Sequence, residues 1–189
     1  MTVVNTPNKL TVFRVILIPV FILFYMMERD WSLFVALFVY VIATITDQLD
    51  GMLARKNNQV TTFGKLMDPI ADKMLIMSAL ICFVKYDRIN LWVVVIILAR
   101  EFIVTGIRML AMGENNVIAA SGWGKAKTVS QCVLTIGILV FQISELYLPE
   151  VFVPILNIAT IVFEVVAVGL TIYSGWDYVW KNKGMLTFK

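Results

Sequence analysis

The chain of 189 residues contains no histidine. That removes Ser–His–Asp triads and histidine metal ligands, so acid–base or metal chemistry here falls to carboxylates. Cysteine is almost as scarce. Cys82 and Cys132 both lie in apolar stretches and read as packing residues rather than as a disulfide. Charged residues make up 15% of the chain, where a soluble domain carries about a quarter. The net charge of +3 is too small to favour nucleic acid as a partner. There is no internal repeat and no low-complexity tract, and the first apolar run lacks the small-residue pattern of a cleavable leader.

What fills the chain is apolar side chain, 60% of all residues, gathered in long runs. This composition argues for an integral membrane protein. At roughly 20 residues per span the length allows about six spans with short connections. The expected fold is therefore an all-α membrane protein, a single domain over residues 1–189. The expected spans are 10–27, 31–55, 63–84, 89–111, 125–144 and 155–180. Thr6-Pro7 reads as a helix start, with Thr6 as cap and Pro7 in the first turn. Trp31 reads as an interfacial anchor. Pro69 reads as a kink or an irregular start of the third span. The ten methionines read as gap-filling or lipid-facing.

Lysine and arginine are unevenly divided between the two sets of span ends. One set holds Lys9, Arg55, Lys56, Lys65, Arg108, Lys125, Lys127, Lys181, Lys183 and Lys189; the other holds only Arg29, Lys85 and Arg88. The positive-inside rule places the first set, and with six spans both termini, in the cytoplasm.

Against this background four aspartates need a reason. Residues 47–55 read DQLDGMLAR and residues 64–72 read GKLMDPIAD. A charged residue at the centre of a transmembrane helix costs about 2.5–3.5 kcal/mol, so four isolated ones would cost on the order of 10 kcal/mol. Asp47 and Asp50 are three apart; Asp68 and Asp72 are four apart, with Gly64 four before Asp68. Each pair forms a stripe on one helix face. The short loop between the spans makes them antiparallel neighbours, so the stripes can face each other near the cytoplasmic side. Four carboxylates in one pocket cannot all stay ionised without cations. Oxygen-only ligands suit a hard cation, Mg²⁺ or Mn²⁺, and four carboxylates can share two such ions, an arrangement for phosphoryl transfer. Salt bridges to Lys73, Arg55 or Lys65 are the structural alternative. Gly51, Ala54 and Gly64 remove bulk beside the acids, either for a phosphorylated ligand or for close helix packing. Arg55 can meet a phosphate or snorkel to the interface.

The pattern D-Q-L-D-G-M-L-A-R, eight residues, G-K-L-M-D, three residues, D resembles the signature of the CDP-alcohol phosphotransferases. All eight fixed residues are present over 26 positions. The resemblance implies a six-helix membrane enzyme, usually a homodimer, with a polar cavity facing the cytoplasm. It implies that Asp47, Asp50, Asp68 and Asp72 hold divalent metal and that Asp72 is the base. Gly51, Ala54, Arg55 and Gly64 match positions lining the CDP site. Asn8 and Thr11, in N-K-L-T-V-F-R, match an amino-terminal element bordering the nucleotide pocket.

Arg100-Glu101-Phe102, Arg108, G-K-A-K-T at 124–128 and Gln131 resemble the bacterial members whose acceptor is sn-glycerol 3-phosphate. That implies transfer of the phosphatidyl group of CDP-diacylglycerol to glycerol 3-phosphate, with CMP released, in the bacterial cytoplasmic membrane. Arg108, Lys125 and Lys127 would then bind the acceptor phosphate, although basic residues at these ends also serve topology. Lys125–Thr128 begins a helix, where backbone N–H groups favour an anion. The rivals within the family are a phosphatidylinositol phosphate, phosphatidylserine or cardiolipin synthase; outside it, a divalent-cation transporter. Glu101 and Glu164 lie within spans and are expected to pair with Arg100 or another cation.

Overall fold

The computed structural model describes residues 6–27, 29–56, 62–113 and 122–183, with side chains over 11–27, 29–46, 70–71, 73–109, 111 and 122–183. The described residues form α1 (Thr6–Met26), α2 (Asp30–Lys56), α3 (Thr62–Lys85), α4 (Leu91–Gly113), α5 (Gly122–Tyr147) and α6 (Val153–Lys181), with a one-turn 3₁₀ helix, Glu150–Phe152, before α6. No strand occurs among them. Each helix has 21 to 29 residues, long enough for a bilayer at 1.5 Å per residue. By length and apolar composition over the described residues, α5 and the 3₁₀–α6 unit meet the requirement for a membrane span. Helix α3 runs unbroken through Asp68-Pro69.

Local chemistry sets the connections at the end of the bundle away from the aspartates. Between α1 and α2, Ser32 Oγ donates to the Arg29 carbonyl at 2.7 Å and accepts from the Arg29 N–H at 3.3 Å. Between α3 and α4, Asp87 takes a left-handed conformation (φ 54°), which a short polar side chain tolerates. This lets the Arg88 N–H reach back to the Phe83 carbonyl at 2.8 Å, closing α3. Asn90 then caps α4 by accepting from the Trp92 N–H at 2.9 Å. That cap starts α4 at Leu91, two residues later than the apolar run alone suggests. Pro154 enters α6 in its first turn, where its missing N–H is no loss.

Helix α1 packs along both α2 and α3; α2 also meets α5, α5 packs on α6, and α6 on α4. The buried face of α1 is Thr11, Arg14, Ile18, Phe21 and Tyr25, a stripe at helical spacing. Its apolar part joins Tyr40 of α2 and Phe83 of α3: Phe21–Tyr40 and Tyr25–Phe83 ring centroids lie 5.7 and 5.5 Å apart. Fully buried Ala36, Ala43 and Ala79 let the backbones approach. Gly137 does the same between α5 and α6, since a Cβ there would sit 2.9 Å from the Phe163 ring. Both cysteines are free, Cys82 buried and Cys132 partly so.

The outer surface is apolar. Ile155, Ile158, Ile161, Val162 and Val165 of α6 are all more than half exposed. Such a surface is unstable in water and ordinary in lipid. Exposed Trp123, Trp176 and Trp180 stand at one end of the bundle, and Trp31, Trp92 and Tyr147 at the other. This is the distribution of interfacial aromatic belts.

Candidate functional site

The carboxyl end of α2, the amino ends of α1, α3 and α5, and the carboxyl ends of α4 and α6 form one end of the bundle. Contacts across helices fix this. The Lys73 ammonium of α3 donates to Thr105 Oγ1 of α4. Lys127 of α5 donates to Glu101 Oε1 of α4. Gln131 Nε2 of α5 donates to Thr171 Oγ1 of α6 at 3.2 Å, and Trp123 meets Tyr173 edge-on at 4.7 Å.

Asp47 and Asp50 lie on the helical backbone of α2, and Asp68 and Asp72 on that of α3. Gly51, Ala54 and Arg55 follow on α2, Gly64 precedes on α3, and Asn8 stands in the first turn of α1. The expected stripes thus fall on continuous helix with their i,i+3 and i,i+4 spacing intact. The side chains of these nine residues lie outside the described residues. Among those described, no three carboxylates or thiols gather as metal ligands. The four-aspartate donor set, all oxygen and divided between two helix ends, is chemically suited to a hard divalent cation.

Thr11, expected at the nucleotide pocket, is buried on α1. One turn on, on the same face, Arg14 is fully buried. Nothing in its local sequence marks it as a site residue. A lone arginine in an apolar run looks the same whether it snorkels or packs inside, and only the neighbouring helices distinguish the two.

The three acceptor-site candidates differ in exposure. Lys125 and Arg108 are exposed, and the Arg108 guanidinium lies 6.0 Å from the centre of the Tyr178 ring. Lys127 is buried with its ammonium on Glu101. Glu101 also accepts from Arg100 Nη1 at 3.1 Å, as its neighbourhood in sequence suggested. Thr105 Oγ1 donates to the Glu101 carbonyl at 2.7 Å, so one polar network links Lys73, beside Asp72, to Lys127. Gly175 allows this packing: a Cβ there would lie 3.0 Å from Arg100 Cγ. The network's carboxylate stands between cations from two helices and neutralises charge that a buried site would not otherwise tolerate. Tyr178 is also buried, and its hydroxyl has no hydrogen-bond partner among the described residues. Nothing in its local sequence marks it, because its position depends on α4 and α6 crossing.

Residues 4–173 of this all-helical chain match the CDP-alcohol phosphatidyltransferase family. The chain belongs to it. Three bacterial relatives bear the name CDP-diacylglycerol–glycerol-3-phosphate 3-phosphatidyltransferase. The protein of Bacillus subtilis strain 168 is 40% identical, over 94% of this chain and 95% of its own. That of Haemophilus influenzae Rd is 37% identical, over 96% and 95% respectively. That of Escherichia coli K12 is 37% identical, over 93% of each chain.

Proposed function

We propose that the chain transfers the phosphatidyl group of CDP-diacylglycerol to sn-glycerol 3-phosphate, giving phosphatidylglycerol phosphate and CMP. The carrying observation is the spaced aspartate set at 47–72, on the carboxyl end of α2 and the amino end of α3, at the same end of the bundle as the exposed cations Arg108 and Lys125. The relatives named for this activity, matched over nearly their whole length, support the choice of acceptor.

On this reading the six helices span the membrane with both termini and the aspartates on the cytoplasmic side, following the lysine and arginine distribution. Asp47, Asp50, Asp68 and Asp72 would hold Mg²⁺ or Mn²⁺, as two ions per site. When bound, the ions neutralise diphosphate charge and favour CMP as a leaving group. Asn8, Thr11, Gly51, Ala54, Arg55 and Gly64 border the CDP moiety. The small residues let it approach the backbone, and Arg55 meets phosphate. Arg108, Lys125 and Lys127 hold the acceptor's phosphate, with Glu101 fixing Lys127. Asp72 takes the proton of the acceptor hydroxyl as its oxygen attacks the lipid-bearing phosphorus. The bond from that phosphorus to the bridging oxygen breaks, and CMP leaves with that oxygen. The acyl chains stay in the bilayer, so the substrate enters from the side. A homodimer follows from the family resemblance.

The test is CMP release by the purified protein with CDP-diacylglycerol and Mg²⁺ or Mn²⁺, comparing acceptors. Release with glycerol 3-phosphate, and not with inositol phosphate, serine or phosphatidylglycerol, is the expected result. Release with a different acceptor reassigns Arg108 and Lys125. No release with any acceptor, from folded protein, overturns the reading.

A further inference from the structure

The end of the bundle opposite the aspartates contains a polar cleft that the proposed reaction does not use. Helices α4 and α6 meet near the aspartate end, where Arg100 packs on Gly175 and Val104 and Ile107 on Tyr178. At the other end a cavity of about 690 Å³ separates the α3–α4 turn and the start of α4 from the first half of α6. A recess of about 80 Å³ leads from it toward α5, and Asp87, Arg88, Asn157 and Thr160 line both.

Two polar groups of the cleft, the Gln142 amide nitrogen and the Glu164 carboxylate, lack partners among the described residues. Gln142 lies in the recess, its side chain 7% exposed. Its Oε1 accepts from the Tyr25 hydroxyl at 3.0 Å, but its Nε2 has no hydrogen-bond partner among the described residues. A buried amide donor left empty costs more than a lost hydrogen bond, so Gln142 Nε2 favours an acceptor entering the recess. On α6, Asn157, Thr160 and Glu164 fall at i, i+3 and i+7, one polar stripe in the otherwise apolar first half of the helix. Glu164 lines the large cavity and forms no ion pair among the described residues. An unpaired carboxylate within a span marks a functional site by default.

The charges and the walls define the occupant. Arg88 Nη1 is bound to Glu145 Oε2 at 2.6 Å, so Glu164, the partly withdrawn carboxylate of the cleft, has no ion pair among the described residues and is open to a cation. A metal ion is a poor fit, because no three carboxylate or thiol ligands gather among the described residues and the volume suits an organic group. The remaining N–H groups of Arg88, with Gln142 Nε2 and the Asn157 amide, offer donors to phosphate oxygens. Leu91, Trp92 and Ile161 line the cavity with largely exposed apolar surface, as contact with acyl chain requires. Cation, phosphate and acyl chain in one molecule describe a zwitterionic phospholipid.

We propose that this cleft binds an aminophospholipid through its headgroup. The primary ammonium goes to Glu164 and the oxygens of Asn157 and Thr160, and the phosphate to Arg88 and Gln142 Nε2. The inference rests on the membrane-spanning reading above and not on the identity of the acceptor.

The test is native mass spectrometry of the detergent-purified protein equilibrated with equal amounts of phosphatidylethanolamine, phosphatidylcholine and phosphatidylglycerol of the same chains. Phosphatidylethanolamine should be retained about tenfold over the other two, since a quaternary ammonium cannot donate hydrogen bonds and phosphatidylglycerol has no cation. Free phosphoethanolamine in large excess should displace it, separating headgroup recognition from adhesion of acyl chains. Glu164→Gln and Gln142→Leu should each lower retention about tenfold while CMP release stays near wild type. Equal retention of the three lipids overturns the proposal. So does failure of phosphoethanolamine to compete, or unchanged retention in both folded variants. Headgroup-blind retention with normal CMP release would sink this proposal alone and leave the catalytic reading standing.

Discussion

Lys127 of α5 donates a hydrogen bond to Glu101 of α4, and both side chains are largely withdrawn from solvent. The pair ties together the two helices that carry the proposed acceptor ligands. Removing the carboxylate leaves a buried ammonium uncompensated, a change worth about 3–5 kcal/mol in comparable cases. Glu101→Gln is therefore expected to lower the thermal midpoint and to raise KM for glycerol 3-phosphate more than it lowers kcat. Pairing it with Lys127→Met should recover stability without recovering acceptor affinity. Full recovery of both would make the pair purely structural.

Asp72→Asn keeps the side chain's shape and removes its basicity. A general base contributes about 10²–10⁴-fold, so CMP release should fall by that range while metal binding persists in a titration of the purified variant. Near-normal release would assign the proton to another acceptor. Chelation by EDTA should abolish release in the wild type, and Mg²⁺ or Mn²⁺ should restore it.

The helices, and the helical backbone on which the spaced aspartates fall, are legible because each rests on a pattern within one segment. Long apolar runs bounded by charged turns gave six elements close to the observed α1–α6. What spacing could not supply was partnership across the bundle. Sequence places Arg100 beside Glu101, but Glu101 meets Lys127 as well, 26 residues away. Only the packing of α4 and α5 on α6, which brings Lys127 within reach of Glu101, decides that. Glu164 was visible as an intramembrane acid, but its cleft depends on α4 and α6 diverging. Apolar Ile89 predicts an earlier start of α4, whereas the helix begins after the Asn90 cap.

Gly137 offers a test of how tightly α5 and α6 fit. A Cβ at this position would approach Phe163 Cδ2 and Cε2 to 2.9 Å, closer than carbon atoms pack, and a ring moves as a unit. Gly137→Ala should destabilise the protein by about 1–3 kcal/mol, the usual cost of overpacking a filled interface. Thermal unfolding in detergent measures this. Phe163→Leu in the same chain should relieve part of the loss, and an additive double variant would refute direct collision.

Arg108 and Lys125 are exposed cations at the aspartate end, and exposure alone fits topology as well as binding. Kinetics separates the two roles. A charge-assisted hydrogen bond to phosphate is worth about 1.5–3 kcal/mol, or roughly 10–100-fold in affinity. Arg108→Gln and Lys125→Gln should each raise KM for glycerol 3-phosphate by that order and leave KM for CDP-diacylglycerol unchanged. An arginine serving only orientation would instead lower the amount of correctly inserted protein, with both KM values intact in the fraction that inserts. Arg108→Lys keeps the charge but loses the planar fork, so it should retain orientation while recovering only part of the acceptor affinity.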